Sequence, residues 1–414
     1  MTFSNNNPVN VAFAGLELHG TCISDINGNV LVKLSSGYNI CVPTSLCTQA
    51  PERAVPPAVH EAEPLKQDAN LPLLAIISTG GTIASTVDYR TGAVSSKSTV
   101  EDIIKSIPEL AGIARYRTLQ PFNILSENMN PAMWQKLTRA VYDEIVAGVG
   151  GVIVTHGTDT MLYSAAAVSF MLETPVPVIF VGAQRSADRP SSDNVMNAIC
   201  SMKAGVSDLG EVVVCMHATT DDVACSLHRA TRVRKNHTSR RDAFQSIGRT
   251  PVGTVSYPEG TVTLEDDAVV RGTYGLRLFD RLEMHCGLLQ YYPGMNPDVL
   301  DAFSGYTGLV IAGTGLGHVN TDSIAKVAAL TAAGTFVVMT SQCQSGEVCD
   351  RVYETGRDLL AAGVIEGGSM LPEVALVKLM WVLGNTTRRE DAVRMMQTNL
   401  KGEFDHDLWR GRGE

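Results

Sequence analysis

Apolar positions fall into two regimes along the chain. Over residues 11–43 they come in short stretches, VAFAGLELHG, NVLVKLSS and YNICVP, separated by the turn-forming pairs Asn27-Gly28 and Ser36-Gly37. Short β-type runs between such turns predict antiparallel strands around a small core, and so an all-β, barrel-like module over residues 1–50. From residue 71 onward the runs are continuous instead: LLAII (73–77), GVIVT (151–155), VPVIFV (176–181) and EVVVC (211–215). Between them apolar residues recur every three or four positions. The clearest case follows Asn130, which is placed to cap a helix with Pro131 in its first turn and Trp134, Leu137, Val141 and Ile145 on one face. Fully apolar strands alternating with amphipathic helices predict an α/β fold whose parallel sheet is covered on both faces.

The same patterning divides the chain. Residues 51–70 carry the prolines and charges of PERAVPPAVHEAEPLKQDAN, which suits an extended linker. Residues 71–290 form the expected large α/β domain, with hairpin-like sequence in TVSYPEGTVTLEDDAVVRGTYG. After Tyr292-Pro293-Gly294 the alternation resumes through GLVIAG, a helix over Ile324, Val327 and Leu330, TFVVMT and a helix near Leu359. Residues 291–414 are therefore expected to form a second, smaller α/β domain. No internal repeat is visible.

Composition narrows the functional classes. The 414 residues, at roughly 100–200 per domain, suffice for two or three domains. Hydrophobic residues at 44%, charged residues at 18% and a mean hydropathy of +0.06 describe an ordinary globular chain. Lys and Arg (33) are outnumbered by Asp and Glu (43), which argues against a sequence-independent grip on phosphate backbones by this chain itself. The nine cysteines are scattered, with no C-x-x-C pair, and read as reduced thiols in a reducing compartment. The N-terminus has no basic segment followed by an apolar run, and no apolar run reaches the ~20 residues of a spanning helix, so a cytoplasmic location is expected.

Two segments stand where strands end. Strand 73–77 runs into Ser78-Thr79-Gly80-Gly81-Thr82, and strand 151–155 into His156-Gly157-Thr158-Asp159-Thr160. In an open α/β sheet ligands bind at the carboxyl ends of strands, and paired glycines let backbone approach a substrate closely. Thr82 and Asp159 each read equally as helix N-caps, and His156 as a turn histidine. If the two strands are neighbours, the two hydroxyl-bearing turns converge, and a threonine hydroxyl then needs a base beside it. Lys235, inside the basic run HRATRVRKNHTSRR (228–241), is a candidate, although the run also reads as a solvated loop or phosphate patch. Gly313-Thr314-Gly315-Leu316-Gly317 resembles a phosphate loop only weakly. The chain has no Gly-Lys dipeptide, no H-E-x-x-H and no G-x-S-x-G, which disfavours a P-loop NTPase, a zincin and a serine α/β-hydrolase.

Thr79-Gly80-Gly81-Thr82-Ile83-Ala84 and His156-Gly157-Thr158-Asp159-Thr160 together resemble the two signatures of the L-asparaginase/glutaminase family. Within it the chain is most similar to the D-subunit group of archaeal glutamyl-tRNA(Gln) amidotransferases. VKLSSGYNI (32–40), ILSENMNP (124–131), GAQRSADRPSSD (182–193), YYPGMNPDVL (291–300), GTGLGHV (313–319) and MLPEVALVKLMWVLG (370–384) carry that similarity over nearly the whole chain. The resemblance implies an asparaginase-like two-domain parallel-sheet fold. It implies Thr82 as nucleophile, with Thr158, Asp159 and Lys235 moving the proton or polarising the water. Tyr89 matches a tyrosine over the nucleophile, and Ser126 and Glu127 match positions that hold the substrate's α-carboxylate and α-ammonium, with Asp159 also facing the ammonium. Residues near Thr314 or Glu373 would complete the site of a neighbouring protomer. Gln290 and Ala312 depart from the charged residues expected of relatives.

The function implied is hydrolysis of glutamine to supply ammonia to a partner E subunit, which uses ATP and Mg to amidate glutamyl-tRNA(Gln). No cofactor or metal is expected in this chain. A homodimer core within a heterotetramer is implied, with tRNA(Gln) held mainly by the partner and no membrane contact. Two alternatives remain: a free cytoplasmic L-asparaginase/glutaminase with the same four side chains, and a catalytically silent assembly component.

Overall fold

The computed structural model describes residues 3–5, 7–13, 15–34, 39–51, 67–80, 86–87, 94–95, 107–186 and 191–405. The N-terminal module is a five-stranded antiparallel sheet in the order Asn39–Pro43, Asn29–Leu34, Leu16–Ile26, Pro8–Phe13, Cys47–Gln49. The stretch VAFAGLELHG, read as one strand, is in fact two: Gly15 takes φ +78° and turns Pro8–Phe13 back onto Leu16–Ile26. Asn27 and Gly28, both at positive φ, make the next hairpin turn, as the Asn-Gly pair leads one to expect. Val9, Val11, Cys22, Val30, Val32, Val42 and Cys47 close the module's own core.

The large domain is built on eight strands. Val212–His217, Val178–Val181, Val152–Thr155, Leu73–Ser78 and Arg115–Leu119 lie parallel in that order. The sheet is mixed, not purely parallel: Ala224–Arg229, Gly253–Ser256 and Val262–Leu264 add to the Val212–His217 edge in antiparallel fashion, the last two as the hairpin read from sequence. Period-two alternation divides each central strand between two cores. Leu74, Ile76, Ile153, Ile179 and Val213 pack toward the helix Asn194–Gly205. Ala75, Ile77, Val154, Phe180 and Val214 pack toward Pro131–Val146 and Met161–Met171. Asn130 caps the first of these, its side chain accepting from Met133 N at 3.2 Å, and Trp134, Leu137, Val141 and Ile145 are buried as its spacing requires.

The C-terminal domain has four parallel strands, Cys286–Gln290, Gly308–Gly313, Phe336–Ser341 and Ile365–Glu366. Its first strand precedes the 290/291 division, so the C-terminal sheet begins with Cys286. Helices Thr321–Ala332 and Glu354–Ala361 contribute to one core, and Pro372–Asn385 and Arg389–Gln397 to the other. That second core includes Ala166, Ala167, Phe170 and Met171. The helix Met161–Met171 is therefore wedged between the two domains and buried nearly all round, which ties the C-terminal domain to the turn that precedes it.

Candidate active site

The strands Leu73–Ser78 and Val152–Thr155 are hydrogen-bonded neighbours, with Ser78 opposite Thr155, so their carboxyl-end turns converge. Thr79 fixes them together: its amide and its hydroxyl each donate to Thr155 O at 3.0 Å. A third segment joins at Ile124, whose amide donates to Thr79 O at 3.0 Å. Gly80 takes φ +105° with Ile124 O and Asn123 Oδ1 against it, leaving no room for a side chain. Gly157 is required for a related reason, since a Cβ there would lie 2.6 Å from Ser126 Cβ. Ser126 is buried against this turn, and its carbonyl accepts from Thr160 Oγ1 at 2.7 Å. Glu127, next along the same short 3-10 turn Ser126–Asn128, is exposed. Thr160 was not singled out in the sequence; its role depends on a loop 34 residues away.

Lys235 ends the strand Val233–Lys235. Its Nζ donates to Thr158 Oγ1 at 2.9 Å and meets Asp159 Oδ1 at 2.6 Å. Burial is uneven across the group. Thr158 is buried and the Lys235 side chain is 10% exposed, whereas the Asp159 carboxylate is 67% exposed. An ammonium shared between a hydroxyl and an exposed carboxylate can orient the hydroxyl and relay protons between the two. His156 is not part of this exchange. It is buried beside Phe180, its Nδ1 meets Gly157 O at 2.7 Å, and burial pushes its pKa down to about 4 against the pull of that carbonyl. It is the turn histidine read from sequence. Of the expected site residues, Thr158, Asp159, Lys235 and Ser126 are brought together with Glu127 beside them; Thr82 and Tyr89 lie outside the described residues.

The basic run is a solvated loop only in its second half, where residues 236–240 are exposed; its first half is buried and its arginines are paired. Arg229 pairs with Glu211 at 2.9 Å and Asp267 at 3.1 Å, and Arg232 donates to the carbonyls of Ile247, Ser369 and Glu403 at 2.7–3.0 Å. Arg234 pairs with Glu373, Arg240 with Asp242 and Arg241 with Asp222. The Gly313–Gly317 loop closes on itself through the Gly317 and His318 amides, which donate back to Thr314 O, and is held by Ser341, Gln342 and Cys349, which donate to its carbonyls. In the tract 182–193, Asp193 accepts from the Gln184 and Arg185 amides at 2.9 and 3.0 Å and so folds the loop onto its own helix. Gln290 and Ala312 stand opposite each other on parallel strands. Among the described residues, no cluster of three or more His, Cys, Asp or Glu suits a metal ion, and no helix is long and apolar enough to cross a membrane.

Comparison with known proteins decides the family. The model of the asparaginase N-terminal domain matches residues 73–269, and that of the glutaminase/asparaginase C-terminal domain matches residues 285–396. The D subunit of the glutamyl-tRNA(Gln) amidotransferase from Methanosarcina mazei is 49% identical over 98% of this chain and 99% of its own. The D subunit from Haloquadratum walsbyi is 57% identical over 82% of this chain and 77% of its own. The chain belongs to the D-subunit family of glutamyl-tRNA(Gln) amidotransferases. It is built on the asparaginase fold. The thermostable L-asparaginase from Thermococcus kodakarensis superposes with a TM-score of 0.71 at 31% identity, covering 80% of this chain and 99% of its own. L-asparaginase I from Vibrio cholerae gives 0.69 at 26%, covering 81% and 99%. The asparaginase-like fold expected from the sequence is the one found. The chain exceeds these asparaginases in length by about a fifth of itself, and the family models leave residues 1–72 unmatched.

Proposed function

We propose that this chain hydrolyses glutamine as the D subunit of a glutamyl-tRNA(Gln) amidotransferase. The observation that carries the reading is the bridge from Lys235 to Thr158 and Asp159, beside the Ser78–Gly80 turn that leads into Thr82. In this scheme the Thr82 hydroxyl attacks the γ-carbonyl of glutamine and loses its proton to the Thr158–Lys235–Asp159 group. The C–N bond breaks, and the amide nitrogen takes up a proton and leaves as ammonia. Water then cleaves the acyl ester, giving glutamate and restoring the threonine. Ser126 and Glu127 are assigned to the substrate's α-carboxylate and α-ammonium, with Tyr89 over the nucleophile. A partner E subunit binds tRNA(Gln), uses ATP and Mg to activate glutamyl-tRNA(Gln), and receives the ammonia. This chain itself needs no cofactor and works in the cytoplasm, as a homodimer core within a heterotetramer.

A second reading, a free L-asparaginase/glutaminase, is favoured by the likeness to stand-alone L-asparaginases. The N-terminal module, outside the asparaginase models, favours the amidotransferase role. Co-purification with the E subunit followed by glutamine hydrolysis with and without glutamyl-tRNA(Gln) separates them. The amidotransferase reading expects hydrolysis that needs the partner and charged tRNA. Fast ammonia release from asparagine by the lone chain overturns it.

A further inference from the structure

Lys235 belongs to neither large sheet. Among the described residues its strand, Val233–Lys235, pairs only with Phe244–Ser246. A two-stranded ribbon of this length has little rigidity of its own, so its position depends on what its side chains touch. Those side chains alternate. Val233 enters the core beneath the large sheet and Lys235 reaches Thr158, while Arg232 and Arg234 reach into the C-terminal domain. Arg232 is held by the Ser369 and Glu403 carbonyls. Arg234 Nη2 meets Glu373 Oε1 at 2.9 Å.

Glu373 lies in the first turn of the helix Pro372–Asn385, with its side chain 11% exposed. Its second oxygen is buried without a hydrogen-bond partner among the described residues, so Arg234 is its main counter-charge there. Tyr163 stands in the same group, its hydroxyl pKa pushed up to about 12 by burial and then by Glu373, with Arg234 opposing. Tyr163 is also one turn from the site, its amide donating to Thr160 O at 3.1 Å. The ion pair therefore sits where the lysine strand, the helix following the Thr158 turn and the C-terminal domain meet.

We propose that Arg234 and Glu373 are positioning residues for Lys235: their ion pair pins the lysine strand to the C-terminal domain and sets the reach of Nζ to Thr158 and Asp159. A shift at the start of the helix Pro372–Asn385 is then felt at the lysine. The proposal rests on the amide-hydrolysing role assigned above. Small displacements of a catalytic group cost ~10–100-fold in rate, and Ser126 and Glu127, assigned above to hold the substrate, are not among the groups that the Arg234–Glu373 pair joins.

The test is steady-state glutamine hydrolysis by the assembled complex with glutamyl-tRNA(Gln). The variants are Glu373→Gln, Arg234→Met, Glu373→Asp and the charge-swapped Arg234→Glu/Glu373→Arg, with Lys235→Ala as benchmark and a thermal melt on each. The expected result for Glu373→Gln and Arg234→Met is kcat lower by ~10–100-fold with KM within about twofold, and partial recovery in Glu373→Asp or in the swap. Wild-type kcat in Glu373→Gln beside an inactive Lys235→Ala overturns the positioning role alone. Losses that follow a lowered Tm without recovery in either charge-retaining variant overturn it too. Wild-type turnover in Lys235→Ala overturns the catalytic role of Lys235 and the positioning role with it, whereas absence of glutamine hydrolysis by the wild-type complex overturns the amide-hydrolysis reading itself.

Discussion

Two lysines in this chain each meet a carboxylate at 2.6 Å, Lys235 with Asp159 and Lys378 with Glu403. Everything around that contact differs. Both side chains of the Lys378 pair are fully buried, and the ammonium's other donors go to the Met396 and Thr398 carbonyls at 2.9 and 2.7 Å, above the Phe404 ring. Its three donors are thus all used. Burial lowers the Lys378 pKa, and Glu403 partly offsets this. Lys235 has two partners among the described residues, one of them a hydroxyl and the other an exposed carboxylate. One pair is a sealed strut inside the C-terminal domain, and the other keeps an exposed carboxylate. The distance is shared; burial and the kind of partner separate the two.

Substitutions should split the two pairs. Lys235→Ala is expected to lower glutamine hydrolysis in the complex by about a thousandfold while leaving the melting transition nearly in place, read by ammonia release and calorimetry. Lys378→Met is expected to do the reverse, destabilising by about 3–5 kcal/mol in denaturant unfolding because Glu403 is left charged and buried, with much of the loss recovered in Lys378→Met/Glu403→Leu. Acid sharpens the contrast next. His156 and His228, in the large domain, have folded pKa values near 4, below their ordinary 6.5, so the unfolded chain binds more protons and their contribution declines as pH falls from 6.5 toward 4. Asp350, in the C-terminal domain, has the opposite sign. Burial and Glu366 raise it to about 7, so the folded chain holds the extra proton and the cost grows as pH rises from 3.8 to 7. Asp350→Asn should therefore raise Tm at pH 8 and leave it unchanged at pH 3.5. Lys326, half-buried beside the exposed Asp298 and Asp301, is a third lysine pair, and Lys326→Ala should move neither Tm nor turnover measurably.

What the sequence made legible was local. The Asn130 cap, the helix face after it and the continuous strands depend on neighbours a few residues away, and each is found as expected. The meeting of the two hydroxyl-bearing turns was legible as a condition, that the strands be adjacent, which they are. The buried part of the basic run was not legible, because the carbonyls that accept from Arg232 lie far along the chain: Ser369 is 137 residues away and Glu403 is 171. The helix Met161–Met171 shows little amphipathic pattern because it is wrapped by both domains, so period alone could not orient it. The antiparallel edge of the large sheet escaped for a similar reason, since its short strands carry no signal of direction. The break at Gly15 was hidden inside an apolar stretch with no second turn residue beside it.

The central claim is that Thr82 attacks the amide with Thr158, Lys235 and Asp159 behind it. It is tested most directly by treating the complex with a glutamine analogue bearing a diazoketone in place of the amide and mapping the adduct by peptide mass spectrometry. The account predicts a single adduct on Thr82, absent in Thr82→Ala and formed far more slowly in Lys235→Ala. An adduct on a cysteine, or one on Thr82 that forms at the same rate without Lys235, would contradict it.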